Sequence, residues 1–399
     1  MKAPLVWQRS SWGKRCLWIA GSAFLLVAMY AAIRITTELI AYDPDSVPAN
    51  AAKSFKNEAQ IARGAYLATL GNCAACHTER GGAEFAGGKA IHTPFGAVYA
   101  SNITPDAQHG IGAWSAEAFY RALHEGVNAR GKLLTPAFPY PNYTQISRAD
   151  SDDLYAYFMY GVQSVAQPNK PHELAFPFNT QLALAAWRVL YFERGAAESI
   201  AIYADSMPDN SLNTSENAAV ELQRGAYLVH GLGHCSACHA QRNALGAATE
   251  GQFAGALMPM RDWYAPSLHA REEAGVQHWP RAQVVALLKN GVTRHASALG
   301  PMAEVVSKST QHWRDADLNA TAAYLQHLPQ LPAATSQRSS QASLDQRLRS
   351  QGAEMYGKHC ATCHGEQGQG TQVEGQVALP ALAGNRAVTP ASSANLVRV

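Results

Sequence analysis

Along most of the chain apolar side chains recur every three to four positions between polar ones, the spacing of helices that bury one face. One such segment is Gln60-Ile-Ala-Arg-Gly-Ala-Tyr-Leu-Ala-Thr-Leu-Gly-Asn72, and a near copy follows as Leu222-Gln-Arg-Gly-Ala-Tyr-Leu-Val-His-Gly-Leu-Gly-His234. Arg-Gly-Ala-Tyr-Leu is common to both, at 63–67 and 224–228. The copying continues downstream. Phe85-Ala-Gly87 matches Phe253-Ala-Gly255, Tyr99-Ala100 matches Tyr264-Ala265, and Trp114 precedes Gly126-Val127 at the distance that separates Trp279 from Gly291-Val292. An internal duplication of this kind predicts two units built on one plan. Within each, the Trp segment has the spacing of a second helix (Phe119 and Leu123; Val284, Leu287 and Leu288), ending at a Gly that can serve as its cap. A third helix is started by Ser147 or Asp150 and by Asp315, and runs through 154–159 and 318–328. The pattern predicts an all-α fold of small tandem units.

One segment departs from this amphipathic pattern. Lys2, Arg9, Lys14 and Arg15 precede an uninterrupted apolar run over 17–33, which Arg34 closes and 35–42 weakly extends. The basic flank puts the N-terminus in the cytoplasm and the rest of the chain outside. A cleaved signal peptide has a shorter apolar region and a small-x-small site close behind it, whereas the first Ala-x-Ala here is Ala49-Asn50-Ala51. A retained single membrane anchor is therefore expected, with Arg34 reaching back to the interface. Two Pro in 43–52 make that stretch a tether, and Pro, Ala, Ser and Gln make 329–343 a linker. The expected organisation is an anchor or signal helix with its tether over 1–52, a first unit over 53–170, a connecting segment over 171–215 and a second unit over 216–331. A linker over 332–343 and a third unit over 344–399 follow. The connecting segment contains the aromatic, apolar stretch 176–192, too short to span a bilayer. It is expected to be a helix packed between the units, the alternative being a surface docked on the membrane or a partner.

Composition narrows the class. With 399 residues, 47% hydrophobic and 16% charged, the chain is neither disordered nor a multi-span membrane protein. A formal net charge of +2, with Lys and Arg scattered, gives no nucleic-acid surface. Of the seven Cys, six fall into three pentapeptides, Cys73-Ala-Ala-Cys76-His77, Cys235-Ser-Ala-Cys238-His239 and Cys360-Ala-Thr-Cys363-His364; Cys16 has no partner. Each pentapeptide reads as a c-type haem attachment site. Two thiols one helical turn apart reach the same edge of a porphyrin, and the adjacent imidazole then lies under its face as an iron ligand. Zinc knuckles pair two half-motifs at set separations, and redox dithiols do not need the following His. Three covalently bound haem c groups are expected, held by Cys73, Cys76, Cys235, Cys238, Cys360 and Cys363, with His77, His239 and His364 on iron. No nucleotide fingerprint, Ser-His-Asp set or carboxylate pair stands out, so no catalytic residue is expected.

The stretches Phe85-Ala-Gly-Gly88, Thr93-Pro-Phe-Gly-Ala-Val-Tyr-Ala-Ser-Asn-Ile-Thr-Pro-Asp106 and Pro139-Tyr-Pro-Asn-Tyr143 resemble the triple-haem cytochrome c subunit of bacterial membrane-bound dehydrogenases. That family serves alcohol, gluconate and sorbitol dehydrogenases and molybdenum hydroxylases acting on nicotinate or aldehydes. The resemblance implies an electron carrier on the cytoplasmic membrane, its haem units in the periplasm. It would link a dehydrogenase catalytic subunit (quinoprotein, flavoprotein or molybdenum enzyme) to quinone or another acceptor. A peroxidase-like multihaem enzyme and a subunit of a terminal oxidase are the alternatives. The resemblance also implies a Met as sixth iron ligand, from the loop between the middle and last helices. In the second unit that Met is Met302, in Gly300-Pro-Met-Ala-Glu304. The same offset in the first unit lands on Ala137 beside Phe138, and Phe cannot bind iron. Met159 aligns with Gln326 on the last helix and reads as core, while His92, His109 and His124 read as surface or cleft residues. The third unit matches at Leu379-Pro-Ala-Leu-Ala-Gly-Asn385 but reaches Val399 without a Met after Cys363, and is expected to be truncated.

Overall fold

The computed structural model describes residues 11–40, 55–195, 216–249, 253–258, 260–331, 346–373, 376–388 and 392–398. The tether at 43–52 and the linker at 332–343 lie outside them. Helix α1 (Ser11–Ile40) comes first, and within it Trp18–Ile40 is apolar and long enough to cross a membrane.

The first unit consists of α2 (Glu58–Leu70), α3 (Cys73–His77), β1 (Ala90–Thr93), β2 (Gly96–Tyr99), α4 (Ala116–Glu125), α5 (Tyr140–Tyr143) and α6 (Arg148–Tyr160), and β3 (Glu173–Leu174) of the connecting segment pairs with its β2. After α7 (Gln181–Tyr191) the plan returns with α8 (Glu216–Ala226), which continues as a π-helical turn over Tyr227–Leu232, and α9 (Ser236–His239). The hairpin β4 (Ala256–Met258) and β5 (Trp263–Ala265) follows, then α10 (Arg281–Asn290), α11 (Gly300–Lys308) and α12 (Asp315–His327). The third unit holds α13 (Gln346–His359), α14 (Ala361–His364), β6 (Thr371–Val373) and β7 (Gln376–Leu379). Helices dominate, as the periodicity predicts. The small antiparallel ribbons, β1-β2-β3, β4-β5 and β6-β7, are not visible in it.

Local chemistry sets the helix ends. Asn57, Ser115 and Ser147 each accept backbone N–H bonds at the start of α2, α4 and α6. Gly126 (φ 62°) and Gly291 (φ 73°) close the two middle helices in the left-handed conformation that Gly adopts without strain. The third helices begin at Arg148 behind the Ser147 cap and at Asp315.

The shared Arg-Gly-Ala-Tyr-Leu explains how the units pack. α2 crosses α6 at Gly64, where a Cβ would stand 2.0 Å from the Asp153 carbonyl oxygen; α8 crosses α12 at Gly225, where it would stand 2.1 Å from the Ala320 oxygen. No other residue permits so close an approach. The preceding Arg ties each crossing, Arg63 to Asp153 at 2.8 Å and Arg224 to Asp317 at 2.7 Å. The Tyr of the motif reaches across to the other unit. Tyr66 Oη donates to Asp317 (2.7 Å) and accepts from the Arg314 N–H (2.9 Å). Tyr227 Oη donates to Asp150 (2.5 Å) and accepts from the Ser147 N–H (3.2 Å). Each Tyr thus caps the last helix of its neighbour, and the two units meet as a self-complementary pair. Between them lies one core, in which Leu67, Leu70, Leu154 and Phe158 pack with Leu228, Leu232, Trp313 and Leu318.

The third unit leans on the second through its C-terminal segment. Asn395 pairs with both backbone groups of Tyr264, accepting at 2.7 Å and donating at 2.8 Å, so it extends the edge of β5. Arg386 donates its N–H to the His295 carbonyl (2.8 Å) and its guanidinium to the Glu273 carbonyl (3.1 Å).

Asp317 joins both contacts of its unit. Burial alone would raise its pKa, but the bonds from Arg224 and Tyr66 hold it below the ordinary 3.8. An acid with a depressed folded-state pKa contributes its full stability above the unfolded value and loses it as pH falls through the folded one. Asp317→Asn is therefore expected to cost roughly 1.5–3 kcal/mol at neutral pH. The difference from wild type should close in acid below pH 3.8. Paired denaturant melts across that range check it, and a constant difference would remove Asp317 from the account.

Candidate haem-binding sites

Each Cys-x-x-Cys-His stretch folds as a helical turn, within α3, at α9 and at α14. In all three the first Cys and the His are half-buried and the second Cys is exposed. One bond orients the imidazoles alike. His77 Nδ1 lies 2.7 Å from the Ser101 carbonyl oxygen, His239 Nδ1 2.7 Å from that of Pro266, and His364 Nδ1 2.9 Å from that of Pro380. A carbonyl can only accept, so each Nδ1 carries the proton and each Nε2 keeps its lone pair for a metal. Burial lowers the pKa of His77 and His239 although the carbonyl bonds raise it, which keeps both rings neutral.

A glycine completes each cradle. The N–H of Gly87 donates to the His77 carbonyl (2.7 Å), that of Gly255 to His239 (2.8 Å) and that of Gly370 to His364 (2.8 Å). All three have positive φ, at 79°, 82° and 74°. A Cβ on Gly87 would stand 2.5 Å from the Ser101 backbone, on Gly255 2.6 Å from Ser267 N, and on Gly370 2.6 Å from Ala381 N. The His turn and the strand end supplying its carbonyl are therefore clamped against one backbone that carries no side chain.

In the first two motifs the leading thiols are not poised as those of a redox pair are. Burial pushes Cys73 and Cys235 up to about 12, where a catalytic dithiol needs a lowered value. Among the described residues no three His, Cys, Asp or Glu side chains converge as a zinc site requires. Two thiols and an imidazole held by Nδ1 with Nε2 turned free, repeated three times, fit the edge and iron of haem.

Known proteins resemble this chain over most of its length. The chain is 37% identical over 358 residues to the cytochrome c subunit of the quinone alcohol dehydrogenase of Gluconobacter oxydans (strain 621H), covering 86% of this chain and 70% of that protein. This chain belongs to the cytochrome c subunits of dehydrogenases. The cytochrome is also 36% identical to the gluconate 2-dehydrogenase cytochrome c subunit of Pantoea cypripedii, over 78% of this chain and 70% of that one. To the fructose dehydrogenase cytochrome subunit of Gluconobacter japonicus it is 34% identical, over 88% and 71%. A family model described as cytochrome C oxidase, cbb3-type, subunit III, matches residues 348–398.

Met302 of the cytochrome lies in the first turn of α11, not in an open loop, because Pro301 sits at a favoured helix-start position. Gly300 (φ 50°) precedes it against the ring of Trp263, which a Cβ would approach to 2.6 Å. Phe138 is half-buried, with its ring 5.4 Å from that of Tyr143, and packs against the first core cluster, as Cys73 and Ala74 also do. Met159 packs in the same core from α6, in keeping with its reading as core. The His124 ring stacks on Tyr120 and its Nε2 bonds the Ile146 carbonyl, so it is a satisfied interior group; His92 is exposed on β1 and His109 half-buried in the following loop.

Three residues that motif reasoning passed over link the first two sites. Lys89 Nζ donates to the Ala75 carbonyl inside the first motif (2.6 Å) and to Glu304, two residues after Met302 (3.0 Å). Burial would raise the Glu304 carboxyl, yet Lys308 and Lys89 hold it below the usual range. Tyr143 bonds the Gly71 carbonyl (3.2 Å) and sets its ring 5.5 Å from His234, the residue before Cys235. Their only sequence signal is position beside the motifs.

Proposed function

We propose that this cytochrome carries three covalently bound haem c groups, in units at 53–170, 216–331 and 344–399. It would pass electrons from a dehydrogenase catalytic subunit to quinone or a downstream respiratory acceptor. The observation that carries this reading is the threefold recurrence of one cradle, in which a backbone carbonyl holds His Nδ1 and a Gly N–H holds the His carbonyl. Cys73, Cys76, Cys235, Cys238, Cys360 and Cys363 would form the thioethers, His77, His239 and His364 the iron bonds, and Met302 the second bond in the middle unit. When bound, the haem supplies one-electron chemistry at iron. The protein supplies spacing. Lys89 and Tyr143 tie the first motif to α11 and to the segment before Cys235, so the two attachment sites keep one separation.

The relatives are named as subunits of alcohol, gluconate and fructose dehydrogenases. A quinoprotein, flavoprotein or molybdenum enzyme would by that analogy feed this chain. The apolar part of α1, Trp18–Ile40, behind the basic residues Lys2, Arg9, Lys14 and Arg15, would anchor it in the cytoplasmic membrane with the units in the periplasm.

The full chain, matured in a host that attaches haem c, should give a haem-stained band that survives boiling, with a mass increase of three haems. Dithionite should reduce it, while alcohols, aldehydes, sugar acids and peroxide should leave it unchanged unless a dehydrogenase is added. Zinc in place of iron, or substrate turnover by the pure chain, would defeat the proposal.

A further inference from the structure

The helix α7 is built inside out. Its one charged residue, Arg188, is 1% exposed, whereas Leu182 and Leu190 are 60% and 65% exposed and Tyr191 also faces outward. A helix on a water-washed surface has the reverse arrangement. Arg188 donates to Glu38 of α1 at 2.8 Å and to the Glu125 carbonyl, and its guanidinium lies 4.6 Å over the ring of Phe192. Gln181, the other polar side chain, is used as well, accepting from the Leu133 N–H (2.8 Å) and donating to its carbonyl (3.2 Å). Ala185 is sealed against Val127 and Leu133, with Ile35 of α1 and Leu184 packed at the edge. The Tyr191 hydroxyl is then the one polar side-chain group that α7 leaves on its outer face. Just upstream, Phe176 is 81% exposed.

The place of α7 beside α1 decides what covers that face. The apolar window Trp18–Ile40 has 23 residues. At ~1.5 Å per residue these rise about 35 Å, against roughly 30 Å of hydrocarbon. The turn carrying Ile35 and Glu38 therefore falls at the outer boundary of a bilayer that α1 spans. α7 is fastened to that turn, and with 11 residues it is too short to cross. Tyr191 on it is of the kind that settles at headgroup level, while Trp187 donates its indole N–H to the Leu245 carbonyl (2.9 Å).

We infer that α7 is an interfacial helix, whose Leu182, Leu190 and Tyr191, with Phe176, rest in the outer leaflet and lay the haem units against the membrane. The charge pair Arg188–Glu38 would then be the hinge post that fixes the units to the anchor. The inference rests on the reading that α1 spans the membrane.

The full chain with its co-purifying dehydrogenase should be placed in nanodiscs of phosphatidylethanolamine and phosphatidylglycerol containing a phospholipid with a headgroup-level diazirine. After irradiation, mass spectrometry should find adducts on α1 and on Leu182, Leu190 or Phe176. The double substitution Leu182→Glu, Leu190→Glu should lower the adducts at 176–191 several-fold and leave those on α1 unchanged, with unaltered haem content. Adducts on α1 with none on α7 would overturn this inference alone. So would α7 adducts that arise only after the dehydrogenase is stripped away, because the partner would then be what covers the helix. Absence of adducts from both helices would bring down the anchor reading together with it.

Discussion

Met302→Ala lowers the midpoint potential of one haem by on the order of hundreds of mV, out of the about 0.8 V that axial ligands span, and leaves the covalent haem content intact. A thioether is a soft ligand that favours the reduced iron, so its loss favours the oxidised one. The thioethers of Cys235 and Cys238 and the His239 cradle do not involve the side chain at 302, and so they persist. A redox titration followed optically should show one component displaced and a methionine-ligated band lost. Phe138→Met should act in the opposite sense in the first unit. Phe138 packs on the same core cluster as Cys73 and Ala74, which makes it the position at which to try a new sulfur. An unchanged titration curve for Met302→Ala would take Met302 out of the ligand set.

Gly255→Val should abolish haem attachment in the second unit while the other two stay loaded. At φ 82° a β-branched side chain is strained by roughly 1–2 kcal/mol, and its Cβ would stand 2.6 Å from Ser267 N and 2.8 Å from Tyr264 Oη. Neither neighbour can retreat cheaply, because Ser267 follows the Pro266 that holds His239. Pushing that strand away breaks the bond to Nδ1, and the ring loses both its tautomer and its aim. Gly246→Ala is the control. It has a similar φ of 76°, but the nearest contact is the edge of the Phe95 ring at 3.3 Å, so it should cost stability without haem. Intact mass and haem stain read both, and three full haem equivalents in Gly255→Val would dispose of the cradle argument.

The motif cysteines and histidines were legible because covalent chemistry demands fixed spacing, and the helices because burial of one face demands a period. Gly126 and Gly291 were legible as caps for the same local reason. What supports the imidazoles was not. Ser101, Pro266 and Pro380 act through backbone carbonyls, which every residue possesses, so their identity carries no signal. Gly87 and Gly255 did stand in the repeated Phe-Ala-Gly, but a repeat marks common ancestry before it marks a role. Likewise Tyr66 and Tyr227 were visible as a shared motif, while their exchange between units depends on a pairing of helices far apart in the chain. The π-helical turn at Tyr227–Leu232 has apolar spacing that reads as an ordinary helix, and only the three-dimensional path into Cys235 reveals it. For 176–192 the preferred reading of a packed connector was half right. The inner face of α7 is packed, and the charge on it is what the outer face would have needed to stay in water.

The tyrosine exchange has a bearing on biogenesis. A chain made from its N-terminus delivers the first unit before the second, and that first unit alone leaves Leu67, Leu70, Leu154 and Phe158 without their partners Leu228, Leu232, Trp313 and Leu318. The last helix of the first unit also waits for Tyr227 to reach Asp150 and the Ser147 N–H. The helix that leads into Cys73 therefore waits for the second unit before its packing is complete. Arrival of the second unit then completes the core and both tyrosine caps in one step.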